Sequence, residues 1–302
     1  MRWMALVLAA SFGLTACAGA GSGPVIKLNQ LEPLPAVAAA AEVPLRIAVA
    51  AVISPKGTVE SYQPLLDYLG QQLGRPIELV QRRTYAEVND LVENGAVDLA
   101  FVCTSAYVDG HAKFGMELLA APQVDGAAVY YSVLIVPANS PAQTMADLRG
   151  QAFAFTDPMS NTGRNYPTYL VQQLGYTPDT FFARTFYTYS HDDAIRAVAD
   201  GLAGGAAVDS LVYDFALARD PALGERTRVI HQSPAFGIPP VVVGPAMRPQ
   251  LKAELQSVLL GMADTADGQQ SLQTAGMERF VLIEDSAYDS ARSLLVAVSP
   301  AP

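Results

Sequence analysis

The chain has 302 residues, 51% of them hydrophobic and 16% charged, a globular composition with ample material for a core. Its 19 Lys and Arg against 29 Asp and Glu give a net charge of −10, which excludes a surface built to neutralise a nucleic-acid backbone. Any anion bound by such a chain is held by local geometry, because the overall field repels it.

Residues 1–17 read as a secretory signal: a charge at Arg2, an apolar run from Trp3 to Leu14, then Leu14-Thr15-Ala16-Cys17. The run is too short to span a membrane. The small-residue site ending in cysteine resembles the bacterial lipobox, which implies cleavage before Cys17 and lipidation of its thiol. The chain is then expected on the periplasmic side of a bacterial membrane, held by a lipid anchor. Residues 18–43, rich in Ala, Gly and Pro, read as a flexible tether. With Cys17 lipidated, Cys103 has no partner for an internal disulfide, so the fold relies on its core.

From Leu45 onward, short β-branched or apolar runs alternate with amphipathic helices, the pattern of α/β units on a largely parallel sheet. Leu45–Ala50 reads as the first strand. Val59, Tyr62, Leu65, Leu66, Leu69 and Leu73 recur at helical spacing up to Gly74, and Pro64 places the start of that helix near Ser61. Pro76–Val80 is the next strand, Tyr85–Asn94 the next helix and Val97–Val102 a buried strand. A second series starts near Tyr131 and repeats the grammar of the first. Tyr85–Gly95 leads into Val97–Phe101, as Asp192–Gly201 leads into Ala206–Asp209. The repetition predicts two lobes with a binding cleft between them: 44–135, 136–242, and a return to the first lobe over 243–302. Val133–Val136 and Val241–Val243 read as paired crossovers between the lobes or as ordinary central strands of one domain; a family resemblance favours the crossovers, with Gln250–Asp264 and Asp267–Gly276 then the returning helices.

The richest segment for chemistry is Ala152–Gly163, a strand running into a polar turn ahead of a helix. Ser160, Asn161 and Thr162 are helix-capping residue types, and Gly163 permits close backbone approach. Free N–H groups and the positive end of the helix dipole converge at such a start, giving an anion site that needs no net positive charge. Simple capping fits the local sequence equally well. His191 stands at the next helix start, where the dipole disfavours its charged form, which favours a ligand contact over a surface role. Cys103 and Tyr107 follow a buried strand, Asp209 and Ser210 hold the matching place in the second series, and ligands in parallel sheets bind beyond such strand ends. Motifs for nucleophilic, metallohydrolase, P-loop and dinucleotide chemistry are missing, so a binding protein is expected in place of an enzyme, with no cofactor and no metal.

Ala154–Gly163 with Pro167, Tyr189-Ser190-His191-Asp192, Ala207-Val208-Asp209-Ser210 and Ser233–Gly237 together resemble the phosphate/phosphite/phosphonate-binding proteins of bacterial ABC importers. The resemblance runs from about Leu45 to about Gly276. It implies an α/β, two-lobed periplasmic-binding-protein fold of type II that closes about a hinge. It also implies capture of a phosphorus oxyanion for a membrane permease. Ser160, Asn161, Thr162 and Gly163 match the family's oxyanion loop, His191 its histidine, Asp209 its acidic residue and Tyr107 its tyrosine; Tyr62 is a weaker match. Asn161 stands where a hydroxyl is usual, and Cys103-Thr104-Ser105-Ala106 replaces a Gly-Pro-containing turn. A branch of the family senses arsenite through a cleft cysteine and reports to a sensor kinase, which makes Cys103 the basis of an alternative expectation.

Overall fold

A computed structural model describes residues 43–299. The signal at 1–17, the anchor at Cys17 and nearly all of the tether at 18–43 lie outside the described residues. The first half of the chain forms β1 (Leu45–Val49), α1 (Pro55–Leu73), β2 (Ile77–Gln81), α2 (Tyr85–Glu93), β3 (Leu99–Phe101), α3 (Thr104–Phe114), β4 (Glu117–Gln123) and β5 (Val129–Tyr130). The second series is β6 (Ser132–Pro137), β7 (Ala152–Phe155), α4 (Tyr166–Gln173), α5 (Pro178–Phe181), β8 (Arg184–Tyr187), α6 (His191–Ala199), β9 (Gly205–Asp209), α7 (Ser210–Arg219), α8 (Ala222–Arg226) and β10 (Thr227–Gln232). The chain ends with β11 (Phe236–Gly237), β12 (Val241–Val243), α9 (Pro249–Gly261), α10 (Ala266–Thr274), β13 (Arg279–Val281) and α11 (Asp289–Val298).

Two mixed sheets organise these elements. The six-stranded sheet runs β13-β4-β12-β3-β1-β2 and the five-stranded sheet β10-β6-β9-β7-β8. Strands β1, β2 and β3 pair in parallel, as do β7, β8 and β9, while β12 and β6 lie antiparallel to their neighbours. Both sheets are covered on both faces, which explains the continuous apolar runs. In β1, Leu45, Ile47 and Val49 pack with Leu65 and Leu69 of α1 and Leu255 of α9, whereas Ala48 faces Val88 and Val92 of α2. The same two-residue period divides Val133 and Ile135 from Leu134 and Val136 in β6.

Two expectations are corrected here. Helix α1 starts at Pro55, not near Ser61, and Pro64 lies inside it. Pro55 supplies the preset φ of a first helical turn, and the carbonyl left unpaired by Pro64 belongs to Glu60, an exposed residue with access to water. The crossovers are also displaced. Val133–Val136 lie within the five-stranded sheet and Val241–Val243 within the six-stranded one, and the chain changes sheets through β5 and β11, which pair with each other as a two-stranded ribbon. Apolar runs mark buried strands, and both of these are buried centrally, so hydrophobicity alone did not reveal where the chain changes layer.

The internal repeat is visible in geometry. Helices α2 and α6 each have nine residues and are capped by Thr84 and Ser190. Each is followed by a glycine at positive φ, Gly95 at 63° and Gly201 at 72°, a backbone state that side chains disfavour.

Candidate functional site

Strand β7 delivers the chain to Thr156 and Asp157, and a single wide turn over Asn161–Asn165 then leads into α4. Ser160 caps that turn, its Oγ accepting the Gly163 N–H at 3.0 Å, while the Asn165 N–H reaches back to the Ser160 carbonyl at 3.0 Å. Gly163 has no alternative here, because a Cβ would stand 2.6 Å from Thr156 Cγ2. The loop is therefore pressed against the end of its own strand. Ser160, Asn161 and Thr162 are all buried.

His191, the first residue of α6, is 1% exposed and accepts the Asp209 N–H at Nδ1, 2.9 Å away. An accepting Nδ1 carries no proton, so the neutral ring carries it on Nε2, which faces Ser160 Oγ at 3.4 Å. Burial pushes the His191 pKa down to about 3, with a small opposing pull from Asp192. The residue is thus a neutral donor aimed at the Ser160 loop. Asp209 caps α7, its Oδ1 accepting from Leu211 N–H at 2.8 Å and Val212 N–H at 3.4 Å. Burial pushes its pKa up to about 7 against those two amides. Beside it, Tyr62 lines a cavity of about 110 Å³ whose wall is mostly apolar and includes Val52, Leu211, Phe215 and Pro240.

Tyr107 does not join this group. Its hydroxyl donates to Asp285 Oδ1 at 2.6 Å and its ring packs on Tyr288, so it ties α3 to the C-terminal segment. Two tyrosines that sequence reasoning passed over stand in its place. Tyr85 and Tyr130 are 0% and 1% exposed, and neither hydroxyl makes a hydrogen bond of normal geometry, although the Thr104 and Asn161 side chains lie near enough to Tyr130 to oppose the rise in its pKa. Burial raises both pKa values well above the usual range, and both lie near Cys103 and Asp209, which puts them in one neighbourhood. The signal was in the repeat: aligned by their caps, Thr84 with Ser190, the two series pair Tyr85 with His191 as the first residue of equivalent helices.

Thr156 Oγ1 and Asn161 Nδ2 are likewise buried without partners, while Asn161 Oδ1 accepts from Ser105 Oγ at 3.1 Å. Such atoms are rare in native proteins, and each costs about 1–3 kcal/mol unless something pairs with it. Cys103 caps the neighbouring α3 from a buried position, and burial pushes its thiol up to about 11, partly opposed by the Asn161 and Ser105 amides. The group holds no lysine or arginine, and Arg164 is turned away, its Nε donating to Tyr187 Oη at 2.9 Å. Among the described residues, no cluster of three or more His, Cys, Asp or Glu side chains could hold a metal ion. The arrangement can surround a small anion with neutral donors, with the carboxyl groups of Asp209 and of Asp157, which accepts the Tyr85 N–H, close by.

Residues 47–288 match the family described as the periplasmic substrate-binding protein of the phosphonate ABC transporter. The chain belongs to that family. The family is one of transporter substrate-binding components, binding proteins and not enzymes. The structure is similar to a binding protein component of an ABC phosphonate transporter from Pseudomonas aeruginosa. That likeness has a TM-score of 0.80 at 20% identity, over 85% of this chain and 87% of that one. It is also similar to PhnD1 from Prochlorococcus marinus (MIT 9301) in complex with methylphosphonate, with a TM-score of 0.75 at 18% identity, over 83% and 96% of the two chains. These likenesses establish the two-lobed, type II fold. In sequence, the chain is 34% identical over 163 residues to a phosphate-import protein, PhnD, of Mycolicibacterium smegmatis. That match covers 50% of this chain and 51% of the relative, so the chain spans about half the length of the curated relative it matches. Among the described residues, no helix is long and apolar enough to cross a membrane.

Proposed function

We propose that the chain captures a phosphorus oxyanion, phosphonate, phosphate or phosphite, in the cleft formed by Tyr85, Tyr130, Thr156, Ser160, Asn161, Thr162, His191 and Asp209. It delivers that anion to an ABC permease from a lipid anchor at Cys17. The observation that carries this reading is the set of buried, unpaired polar atoms on Tyr85, Tyr130, Thr156 and Asn161, gathered with a neutral imidazole donor. A bound oxyanion accepts those hydrogen bonds and removes their desolvation cost. Asp209 selects among anions. In its ionised form, which grows as pH rises through about 7, the carboxylate repels a fully deprotonated tetrahedral anion such as sulfate but accepts a hydrogen bond from the P–OH of a partly protonated phosphorus acid. The apolar cavity beside Asp209 gives an organic substituent somewhere to lie, which favours a phosphonate. The burial of Cys103, which pushes its thiol up to about 11, supports a packing role for it over arsenite sensing.

A thermal-shift series with methylphosphonate, aminoethylphosphonate, phosphite, phosphate and sulfate tests the reading. The phosphorus anions are expected to raise the melting temperature and sulfate to leave it unchanged; a shift from sulfate alone, or from none of them, refutes it. The anchor is tested separately by Cys17→Ser, expected to move the chain from the membrane fraction to the soluble one.

A further inference from the structure

The first turn of α6 reaches across the cleft. Asp192, next to His191, accepts the Ser54 N–H at Oδ1 (2.8 Å) and the Ser54 hydroxyl at Oδ2 (2.7 Å). The His191 N–H donates to the Val52 carbonyl at 2.9 Å. Val52 and Ser54 follow β1 of the six-stranded sheet, whereas α6 covers the five-stranded one. Three hydrogen bonds thus tie one loop of the first lobe to two consecutive residues of the second. Ser54 stands at the N-cap of α1, where a serine hydroxyl ordinarily accepts from its own helix, yet it makes no such bond and is turned to Asp192. Arg196, one turn along α6, donates to Asp192 Oδ2 at 2.6 Å and holds the carboxylate in place. Farther along the same seam, Arg219 reaches Glu60 at 3.3 Å and Ser61 Oγ at 3.4 Å.

We propose that Asp192 is the positioning residue that holds the cleft shut. It touches no ligand, but it follows His191 directly in the chain, so a ligand seated on the imidazole fixes the turn that grips Ser54. The grip in return keeps the loop after β1 closed over the ligand. The Ser54 donors reach the two carboxylate oxygens only when the lobes meet, so these bonds act on the closed form. They should govern ligand release more than encounter. This inference rests on reading the cleft as an anion site, but the clamp itself does not depend on which anion binds.

The test uses Asp192→Asn, Ser54→Ala and the double variant, with methylphosphonate and inorganic phosphate as probes. Asparagine is isosteric but presents one acceptor, so one Ser54 donor then faces an N–H group. Each single variant is expected to raise Kd about tenfold, the scale of one hydrogen bond to a charged group. The increase should come mainly from faster dissociation, with the ligand-free melting temperature held within about 2 °C, less than the shift about 1 kcal/mol brings. The double variant should bind no more weakly than the weaker single one, because both changes break the same contact. Unchanged affinity in both single variants, or losses that multiply in the double, overturns the clamp. If neither probe binds the parent, the anion reading fails, and hydrogen exchange of the ligand-free protein decides the clamp. Faster exchange of the amides at 52–58 in Asp192→Asn than in the parent sustains it, and equal exchange overturns it.

Discussion

Replacing Tyr85 by phenylalanine separates a ligand-binding hydroxyl from a structural one, because the two roles predict opposite signs. The Tyr85 hydroxyl is buried at the head of α2 without a partner, and an unpaired buried polar group costs about 1–3 kcal/mol. Removing it relieves that cost and exposes no new polar atom. The ligand-free melting temperature is therefore expected to stay level or rise, by about 2–4 °C for each kcal/mol recovered. Binding moves the other way. A hydrogen bond to a charged group contributes about 1.5–3 kcal/mol, so affinity for methylphosphonate should fall tenfold or more. At a ligand concentration of about 100 Kd the parent gains about 2.7 kcal/mol, a rise of about 5–11 °C. A variant ten times weaker gains about 1.4 kcal/mol at the same concentration, about 3–6 °C. Differential scanning fluorimetry with and without methylphosphonate, supported by calorimetric titration, reads both quantities. A lower ligand-free melting temperature with unchanged affinity would show that the hydroxyl bonds within the protein, and the reasoning from unpaired atoms would fail.

Tyr107→Phe should do the reverse, lowering stability by about 1.5–3 kcal/mol through loss of its bond to Asp285 while leaving affinity within a few-fold; weakened binding at unchanged stability would restore Tyr107 to the site. Cys103→Ser should leave phosphonate binding within a few-fold, and the parent thiol, buried and pushed up to about 11, should resist a small maleimide. Arsenite binding lost in Cys103→Ser would overturn that assignment. Urea unfolding against pH tests the two shifted groups by difference. His191, lowered to about 3 from 6.5, contributes stability present above pH 6.5 and lost as pH falls towards 3; Asp209, raised to about 7 from 3.8, contributes stability present below pH 3.8 and lost as pH rises to 7. The two slopes, each about 1.4 kcal/mol per pH unit, oppose one another between pH 3.8 and 6.5. His191→Gln should therefore leave a stability that falls with pH in that window relative to the parent, and Asp209→Asn one that rises; parallel curves for parent and variants refute the burial argument.

How much was legible in the sequence follows from what each signal measures. Hydrophobic period and glycine stops report burial and local conformation, so the strands from Leu45 onward, the repeat and the two lobes could be read directly. Ser160–Gly163, His191 and Asp209 were legible as candidates because strand ends and helix starts are local features, and the structure brings them together. Tyr107 was misplaced because a residue one turn inside a helix can point either way, and its direction is set by Tyr288 and Asp285, far along the chain. Tyr130 lies in the ribbon between the sheets, where no periodicity operates. The start of α1 was missed because Pro64 was weighed as a helix breaker, while the preset φ of Pro55 was not.

The absence of a cation from the site follows from the same physics that makes the site detectable. A lysine or arginine buried in the empty cleft would carry an unpaired charge each time the ligand left, a larger cost than any single neutral donor incurs. Neutral donors such as the Tyr85 and Tyr130 hydroxyls, the Asn161 amide and the His191 imidazole can be solvated when the lobes part and desolvated when they close. Each change then costs a few kcal/mol at most. The penalty of closing without ligand falls on these unpaired groups, while the bonds from Ser54 to Asp192 favour closure. Under the proposed function and clamp, closure is a balance between a contact that favours it and a set of donors that oppose it until an oxyanion arrives. An anion that satisfies most of the donors tips that balance, and one that satisfies few does not. Selectivity then lies in the number of hydrogen bonds completed on closing, not in attraction at a distance, as a protein with a net charge of −10 requires.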